Sequence, residues 1–99
     1  MHYLLFYDFV EDYLAKRPPF RAAHLDLIRQ ANERGEIVMA GALAEPHRGA
    51  VIVFRAESPA AAEAFAKSDP YVTQGLVKKW EVKKWNTVIG DGAKLPQVT

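Results

Sequence analysis

Two titratable side chains in this sequence lie among mostly apolar neighbours and have the right chemistry for proton transfer. His24 lies within residues 21–25, and Asp69 lies within residues 68–72. A neutral imidazole accepts a proton near neutral pH, and a carboxylate on its other nitrogen fixes the tautomer and stabilises the imidazolium. If the fold brings them into contact, His24 and Asp69 can act as a proton-transfer pair.

Both residues also have an ordinary structural explanation. A single histidine on the inner face of a helix is more often a hydrogen-bonded core residue, and an aspartate before a proline commonly ends a helix or forms a turn. The substitution His24→Ala separates the two interpretations. It removes turnover from an enzyme, whereas in a structural role it lowers thermal stability.

Composition limits the chain to one modest domain. Its 99 residues are 49% hydrophobic, and 13 Lys and Arg against 12 Asp and Glu give a net charge of +1. This balance provides no general field for attracting nucleic acid or an acidic membrane, so we expect neither as a partner. The absence of cysteine excludes disulfides and a thiol nucleophile, and it is consistent with a cytoplasmic location.

Three further features of the sequence could suggest other functions. The apolar residues 1–7 are followed at once by acidic residues, so they predict a buried strand and neither a signal sequence nor a membrane span. His2 and His47 have no metal-ligand spacing to other donors, so we expect no metal and no cofactor. Glu81 interrupts the basic run 78–85. This favours an exposed strand, whose lysines protect the sheet edge from pairing with another chain, over a nucleic-acid site.

Hydrophobic periodicity and stop signals predict the element order βαββαβ. The predicted strands cover residues 3–9, 37–43, 50–55 and 75–89, and the predicted helices cover residues 19–34 and 59–68. Residues 11–19 are expected to form an irregular, rigid loop because adjacent prolines restrict the backbone. Ser58 is the expected cap of the second helix, with Pro59 at its first position and Pro70 marking its end.

The predicted sheet is apolar on both faces. The first strand directs Tyr3 and Leu5 to one side and Leu4 and Phe6 to the other, whereas a sheet with one solvated face would alternate with polar residues. Two helices can cover only one of these faces. We therefore expect a second copy of the chain to cover the other face, giving a homodimer.

Several ordered segments resemble the YCII-related family. They are residues 17–25, 35–43, 68–72, 75–77 and 80–85, and the resemblance extends over about residues 1–89. It implies a ferredoxin-like α+β fold, with an antiparallel sheet carrying two helices on one face, that dimerises as an α+β barrel. It also implies one domain over residues 1–89. We expect residues 90–99 to form a tail that is mobile or reaches across a dimer. The family's proposed active-site pair maps to His24 and Asp69.

Four further side chains are candidates for binding a substrate. Arg17 and Arg21 flank the proline pair before His24, and a guanidinium there can hold a carboxylate or phenolate. Tyr71 and Tyr7 can offer hydroxyl groups to a ligand, although both are equally suited to the core. The alternative for both arginines is an ordinary solvated position at the start of the helix.

The sequence therefore predicts a cofactor-free enzyme that acts on a small cyclic or aromatic-derived metabolite. Its reaction is elimination, as in the dehydrochlorinase that one branch of the family resembles, or isomerisation, with His24 as the acid and base and Asp69 as its orienting partner. The alternative is a non-catalytic ligand-binding or accessory protein, in which the same pair only ties the two helices together. One fold hosts many reactions, so the resemblance alone does not choose between them.

Overall fold

The computed structural model describes residues 1–93 and contains a four-stranded antiparallel sheet with helices on one face. This confirms the predicted α+β class. The elements in chain order are β1 (His2–Phe9), α1 (Tyr13–Lys16), α2 (Pro18–Glu33), β2 (Ile37–Ala42), β3 (Gly49–Arg55), α3 (Ala60–Ser68), α4 (Pro70–Thr73) and β4 (Val77–Trp85).

The strands lie in the order β2-β3-β1-β4, and all neighbouring pairs are antiparallel. The helical connection from β1 to β2 passes over β3, and the connection from β3 to β4 passes over β1. In the centre of the sheet, Leu5 is paired with Ile52 on one side and Val82 on the other. β1 is thus an inner strand, which places every second side chain of β1 under the helices.

The core lies between the helices and one face of the sheet. Alternate β1 residues point into it, and the side chains of Leu5 and Phe9 are almost completely buried. Phe54 of β3 meets Phe65 of α3 edge to face, with ring centroids 5.7 Å apart. Each fully buried side chain of this size contributes roughly 1.5–3 kcal/mol of hydrophobic stabilisation, so the core holds the helices in a fixed position on the sheet.

The opposite face of the sheet carries no described helix; it is apolar over β1, β2 and β3, whereas β4 places the exposed Lys79, Glu81 and Lys83 on it. Leu4 and Phe6 of β1 are half-buried there, next to Val51 and Val53 of β3. Met39 of β2, which is paired with Val53, is 64% exposed. The apolar second face expected from the sequence is therefore present over β1, β2 and β3, but not over β4.

Several element boundaries differ from the prediction. Residues 13–16 form a helical turn within the predicted irregular loop, and α2 begins at Pro18 because both prolines occupy its first turn, where no backbone N–H is needed. Pro59, not Ser58, is the cap residue of α3, although the Ser58 hydroxyl accepts a hydrogen bond from the Ala60 N–H at 3.3 Å. Pro70 ends α3 but also starts the unpredicted helix α4.

The last strand is shorter than predicted. It ends at Trp85, which is paired with His2 at the beginning of β1, so no β1 residue remains to pair with residues 86–89. After this point the chain turns back, and the Thr87 hydroxyl is 2.6 Å from Nδ1 of the buried His2. Residues 94–99 of the predicted tail lie outside the described residues. Within residues 1–93, no helix is both long enough and apolar enough to span a membrane.

Candidate active site

The structure brings His24 and Asp69 into direct contact. His24 is on the sheet-facing side of α2, and Asp69 is the residue between α3 and α4. The His24 Nδ1 atom is 2.9 Å from each carboxylate oxygen of Asp69. Residues 45 positions apart in the chain thus form one hydrogen-bonded pair.

Asp69 is held by two further donors. The Tyr7 hydroxyl donates to Oδ2 at 2.6 Å, and the Tyr71 backbone N–H donates to Oδ1 at 3.0 Å. The second bond is the side-chain cap of α4, and Pro70 at the first helical position favours this geometry. Asp69 is completely buried, so its carboxylate is desolvated but satisfied by three hydrogen bonds.

These partners determine where the proton of a neutral His24 lies. A carboxylate only accepts hydrogen bonds, so the imidazole donates to Asp69 through Nδ1–H. The Nε2 atom then carries the free lone pair. Because Nδ1 is directed to the buried Asp69 and His24 lines a cavity, the geometry provides a base whose reactive nitrogen is available to a small molecule.

The cavity beside His24 has a volume of about 350 Å³ and lies between α2 and the β2–β3 hairpin. Its size comes from small side chains on the sheet: Ala42 and Ala50 are directly paired, and Ala40 precedes them on the same face. Larger residues at these positions would fill the space under α2. The volume lies within the range of small-ligand sites.

Three of the four predicted substrate-binding residues line this cavity. Arg17, Arg21 and Tyr71 lie in its wall together with His24. The Tyr71 ring stacks on the His24 imidazole, with centroids 3.8 Å apart and planes inclined by 5°. Tyr71 is thus both a wall of the cavity and a support for the imidazole ring.

Tyr7 has a different position from the other three. It is buried in the core, does not line the His24 cavity, and directs its hydroxyl to Asp69. Burial, followed by the charge of Asp69 and the hydrogen bond to it, raises the pKa of the Tyr7 phenol. Tyr7 therefore stays protonated and remains a donor to Asp69 throughout the neutral range.

Two other tyrosine features shape the electrostatics of the cavity. Burial and Tyr13 raise the pKa of the Tyr71 phenol, while Arg21 and Arg17 act in the opposite direction. Tyr13 is buried, accepts a hydrogen bond from Arg17 at 3.2 Å and stacks on Phe9 at 3.8 Å. The cavity thus has two phenols and two arginines at the end where α2 begins.

Sequence reasoning missed some of the cavity residues. His47, from the loop between β2 and β3, lines the cavity opposite α2, and only the pairing of those strands brings it there. The alanines of β2 and β3 were also missed; their small size was visible in the sequence, but their shared position opposite α2 depends on the strand register.

A second cavity in the described structure lacks the proposed proton-transfer pair. A larger cavity of about 500 Å³ lies beside β1, β4 and the β2–β3 loop, but neither His24 nor Asp69 lines it. We therefore place the candidate site in the smaller cavity. Within residues 1–93, no three His, Asp or Glu side chains are grouped so that they could hold a metal ion.

Comparisons with known proteins agree on one family. A sequence model of the YCII-related domain matches residues 1–86. Protein YciI of Escherichia coli O6:H1 is 30% identical over 97 residues, covering 89% of this chain and 99% of the relative. Protein YciI of Shigella flexneri has the same identity and coverage.

A solved structure shows the same fold. It is the 5-chloro-2-hydroxyhydroquinone dehydrochlorinase TftG from Burkholderia phenoliruptrix AC1100, in complex with 2,5-dihydroxybenzoquinone. The TM-score is 0.74 at 22% sequence identity, and the match covers 95% of this chain and 100% of the dehydrochlorinase. From the family match over residues 1–86 and the 30% identity to YciI, the chain belongs to the YCII-related family.

Proposed function

We propose that this protein is a small-molecule enzyme in which His24 is the general base and Asp69 orients it. The observation that carries this proposal is the 2.9 Å contact between Nδ1 of His24 and the buried carboxylate of Asp69, at the wall of a cavity that fits a small ligand. A buried carboxylate with three donors is costly to build, and it leaves His24 with one free nitrogen.

The proposed reaction needs only this pair. Nε2 of His24 takes a proton from a substrate carbon, and the C–H electron pair forms a new double bond. In an elimination, a leaving group on the adjacent carbon departs with its bonding pair, as chloride does in a dehydrochlorination. In an isomerisation, the same imidazolium returns the proton to another carbon. Asp69 stabilises the imidazolium in both reactions, and such acid–base assistance contributes typically 10²–10⁴-fold.

The TftG structure supports the choice of substrate. That protein is a dehydrochlorinase and its structure holds 2,5-dihydroxybenzoquinone, a single oxygenated ring. A cavity of about 350 Å³ in the present chain accommodates a ring of that size. We propose a small, oxygenated cyclic compound as the substrate and elimination as the first reaction to test.

Substitution of His24 tests this proposal. Chloride release from 5-chloro-2-hydroxyhydroquinone, and isomerisation of unsaturated lactones, are measured for the wild-type protein, His24→Gln and Arg29→Gln. We expect turnover with the wild type and Arg29→Gln, and a loss of at least about 100-fold with His24→Gln. Equal turnover by His24→Gln would contradict the proposal. No turnover by any folded variant would favour the ligand-binding alternative.

We further propose that the working form is a homodimer with a ferredoxin-like fold, joined through the exposed sheet face. The strand order β2-β3-β1-β4 and the two helical crossovers support this topology. The half-buried Leu4 and Phe6 and the exposed Met39 give that face an apolar surface suited to a second copy. The cytoplasmic location and the absence of nucleic-acid partners stay predictions.

A further inference from the structure

The arginines of the chain differ in their partners. Those away from the candidate site each form an ion pair with a carboxylate: Arg29 with Asp26, Arg34 with Glu36, Arg48 with Glu11 and Arg55 with Asp91. Arg17 and Arg21, which line the His24 cavity, form no ion pair with any carboxylate in residues 1–93. Two arginines without a carboxylate partner in residues 1–93 therefore lie at one end of this cavity: the half-buried Arg17, which donates to the Tyr13 hydroxyl, and the exposed Arg21.

The phenol of Tyr71 lies at the same end. Its oxygen is buried, and the side chain of Arg21 lies beside it as a hydrogen-bond donor, although not at ordinary hydrogen-bond length and angle. Arginine can only donate, so the phenol's own proton has no acceptor within residues 1–93, and a buried donor without an acceptor costs free energy. A ligand oxygen in the cavity would accept the hydrogen bond that this hydroxyl can donate.

Helix geometry sets the distance between these cations and the base. Arg17 is the N-cap residue of α2, and Arg21 and His24 follow it at spacings of four and three residues. Residues at these spacings lie on the same face of a helix. Arg21 and His24 are three positions apart in α2, which is about 4.5 Å along the helix axis. This spacing is comparable with the span of one substituted six-membered ring.

We propose that Arg17, Arg21 and the Tyr71 hydroxyl form an oxyanion subsite that binds the ionised hydroxyl or developing enolate oxygen of a planar ring whose opposite side faces His24. This inference rests on the proposed function and deepens it by naming the substrate class: a ring carrying an acidic phenolic or enolic hydroxyl. The alanines at positions 40, 42 and 50 form the opposite wall of the slot that receives the ring.

The subsite also has a role in the proton transfer. When His24 removes a proton from a carbon conjugated to a carbonyl group, the C–H pair forms a carbon–carbon double bond and the carbonyl π pair moves to oxygen. The resulting oxyanion gains a full charge only as the reaction proceeds. Fixed cations and a phenolic donor at that oxygen stabilise the transition state more than the neutral ground state.

A chromogenic phenol tests the subsite without turnover. 4-Nitrophenol is held at a pH equal to its own solution pKa, and its phenolate absorbance is recorded as protein is added. We expect the wild-type protein to increase the phenolate fraction, because the subsite binds the anion in preference to the neutral phenol. Arg21→Gln and Tyr71→Phe should each weaken phenolate binding roughly tenfold or more.

Two control variants make the result decisive. Arg29→Gln removes a cation from the same helix but outside the cavity, so it should bind phenolate as the wild type does. His24→Gln should also retain the phenolate shift, even though the proposed function requires it to lose turnover. The two proposals can thus fail separately.

The outcomes that overturn the subsite are specific. They are no phenolate shift with the wild-type protein, a shift that survives Arg21→Gln and Tyr71→Phe unchanged, or a shift that disappears with His24→Gln alone. Benzoate is included as a competitor. If it displaces the phenolate completely at equal concentration, the subsite prefers carboxylates and the assignment to ring hydroxyls is wrong.

Discussion

Tyr71 supports the His24–Asp69 pair in two ways at once. Its ring stacks on the His24 imidazole at 3.8 Å, while its backbone N–H donates to the Asp69 carboxylate at 3.0 Å. The segment from Asp69 to Tyr71 therefore supplies the hydrogen-bond acceptor of His24 and the surface against which its ring rests. Tyr7 completes the arrangement from β1, so both members of the pair are fixed by the core of the protein.

Loss of the Asp69 carboxylate should lower stability. In Asp69→Asn, the amide NH₂ group replaces one acceptor oxygen among three donors, so at least one buried hydrogen bond is lost. We expect the free energy of unfolding to fall by about 2–4 kcal/mol in urea denaturation.

The control for this experiment is Asp26→Asn, which changes an exposed aspartate paired with Arg29. We expect a change within about 0.5 kcal/mol for this variant. A similar loss of unfolding free energy in the two variants would contradict the stabilising role that we assign to the buried Asp69 carboxylate.

Tyr7 should make the protein sensitive to alkaline pH. Its pKa is raised in the folded state by burial and by Asp69, so above about pH 10 the unfolded chain releases a proton that the folded chain keeps. The stability is fully present below that pH and falls as pH rises, by up to about 1.4 kcal/mol per pH unit for this phenol. Urea denaturation between about pH 8 and 11 measures this slope.

Tyr7→Phe isolates this contribution. The variant should be less stable than the wild type at neutral pH by about 1–2 kcal/mol, because Asp69 loses a donor. It should also lose stability less steeply above pH 10, since phenylalanine has no proton to release. Parallel curves for the two proteins would contradict the assignment of the alkaline sensitivity to Tyr7.

The proposed dimer can be broken at an exposed position. Met39 is 64% exposed on the open sheet face, so Met39→Glu should leave the subunit folded while placing a charge in the interface. Size-exclusion chromatography with light scattering at micromolar concentration should give a dimer for the wild type and a monomer for the variant.

The matched control is Leu14→Glu, a similar change at a 45% exposed residue of α1. It should remain dimeric. A monomeric wild-type protein at micromolar concentration would contradict the dimer, and a dimeric Met39→Glu variant would place the interface elsewhere.

The elements that are encoded by neighbouring residues could be predicted from the sequence. The helical spacing of residues 20–31 and the proline pair before it placed α2 within one residue of its observed limits. The sequence left open whether His24 and Asp69 meet, and the structure brings them into contact. The short helix α4 was missed because Pro70 can end one helix and begin the next, and only the capping bond from Asp69 reveals the second role.

The candidate cavity could not be predicted in the same way. It depends on the pairing of Ala42 with Ala50 and on the loop that brings His47 beside α2, and these are contacts between distant residues. The prediction that Tyr7 binds a ligand also depended on contacts between distant residues. Strand alternation showed that it is buried, but not that its hydroxyl is directed to Asp69.

The tautomer of His24 is the measurement that tests the central claim most directly. Two-bond ¹⁵N–¹H NMR correlations of the imidazole rings are recorded at about pH 8, where an ordinary imidazole is neutral. We predict that His24 in the wild type carries its proton on Nδ1, with Nε2 free, and that this preference is lost in Asp69→Asn. The exposed His47 provides an internal reference. A proton on Nε2 of His24 in the wild type, or an unchanged tautomer in Asp69→Asn, would contradict the account.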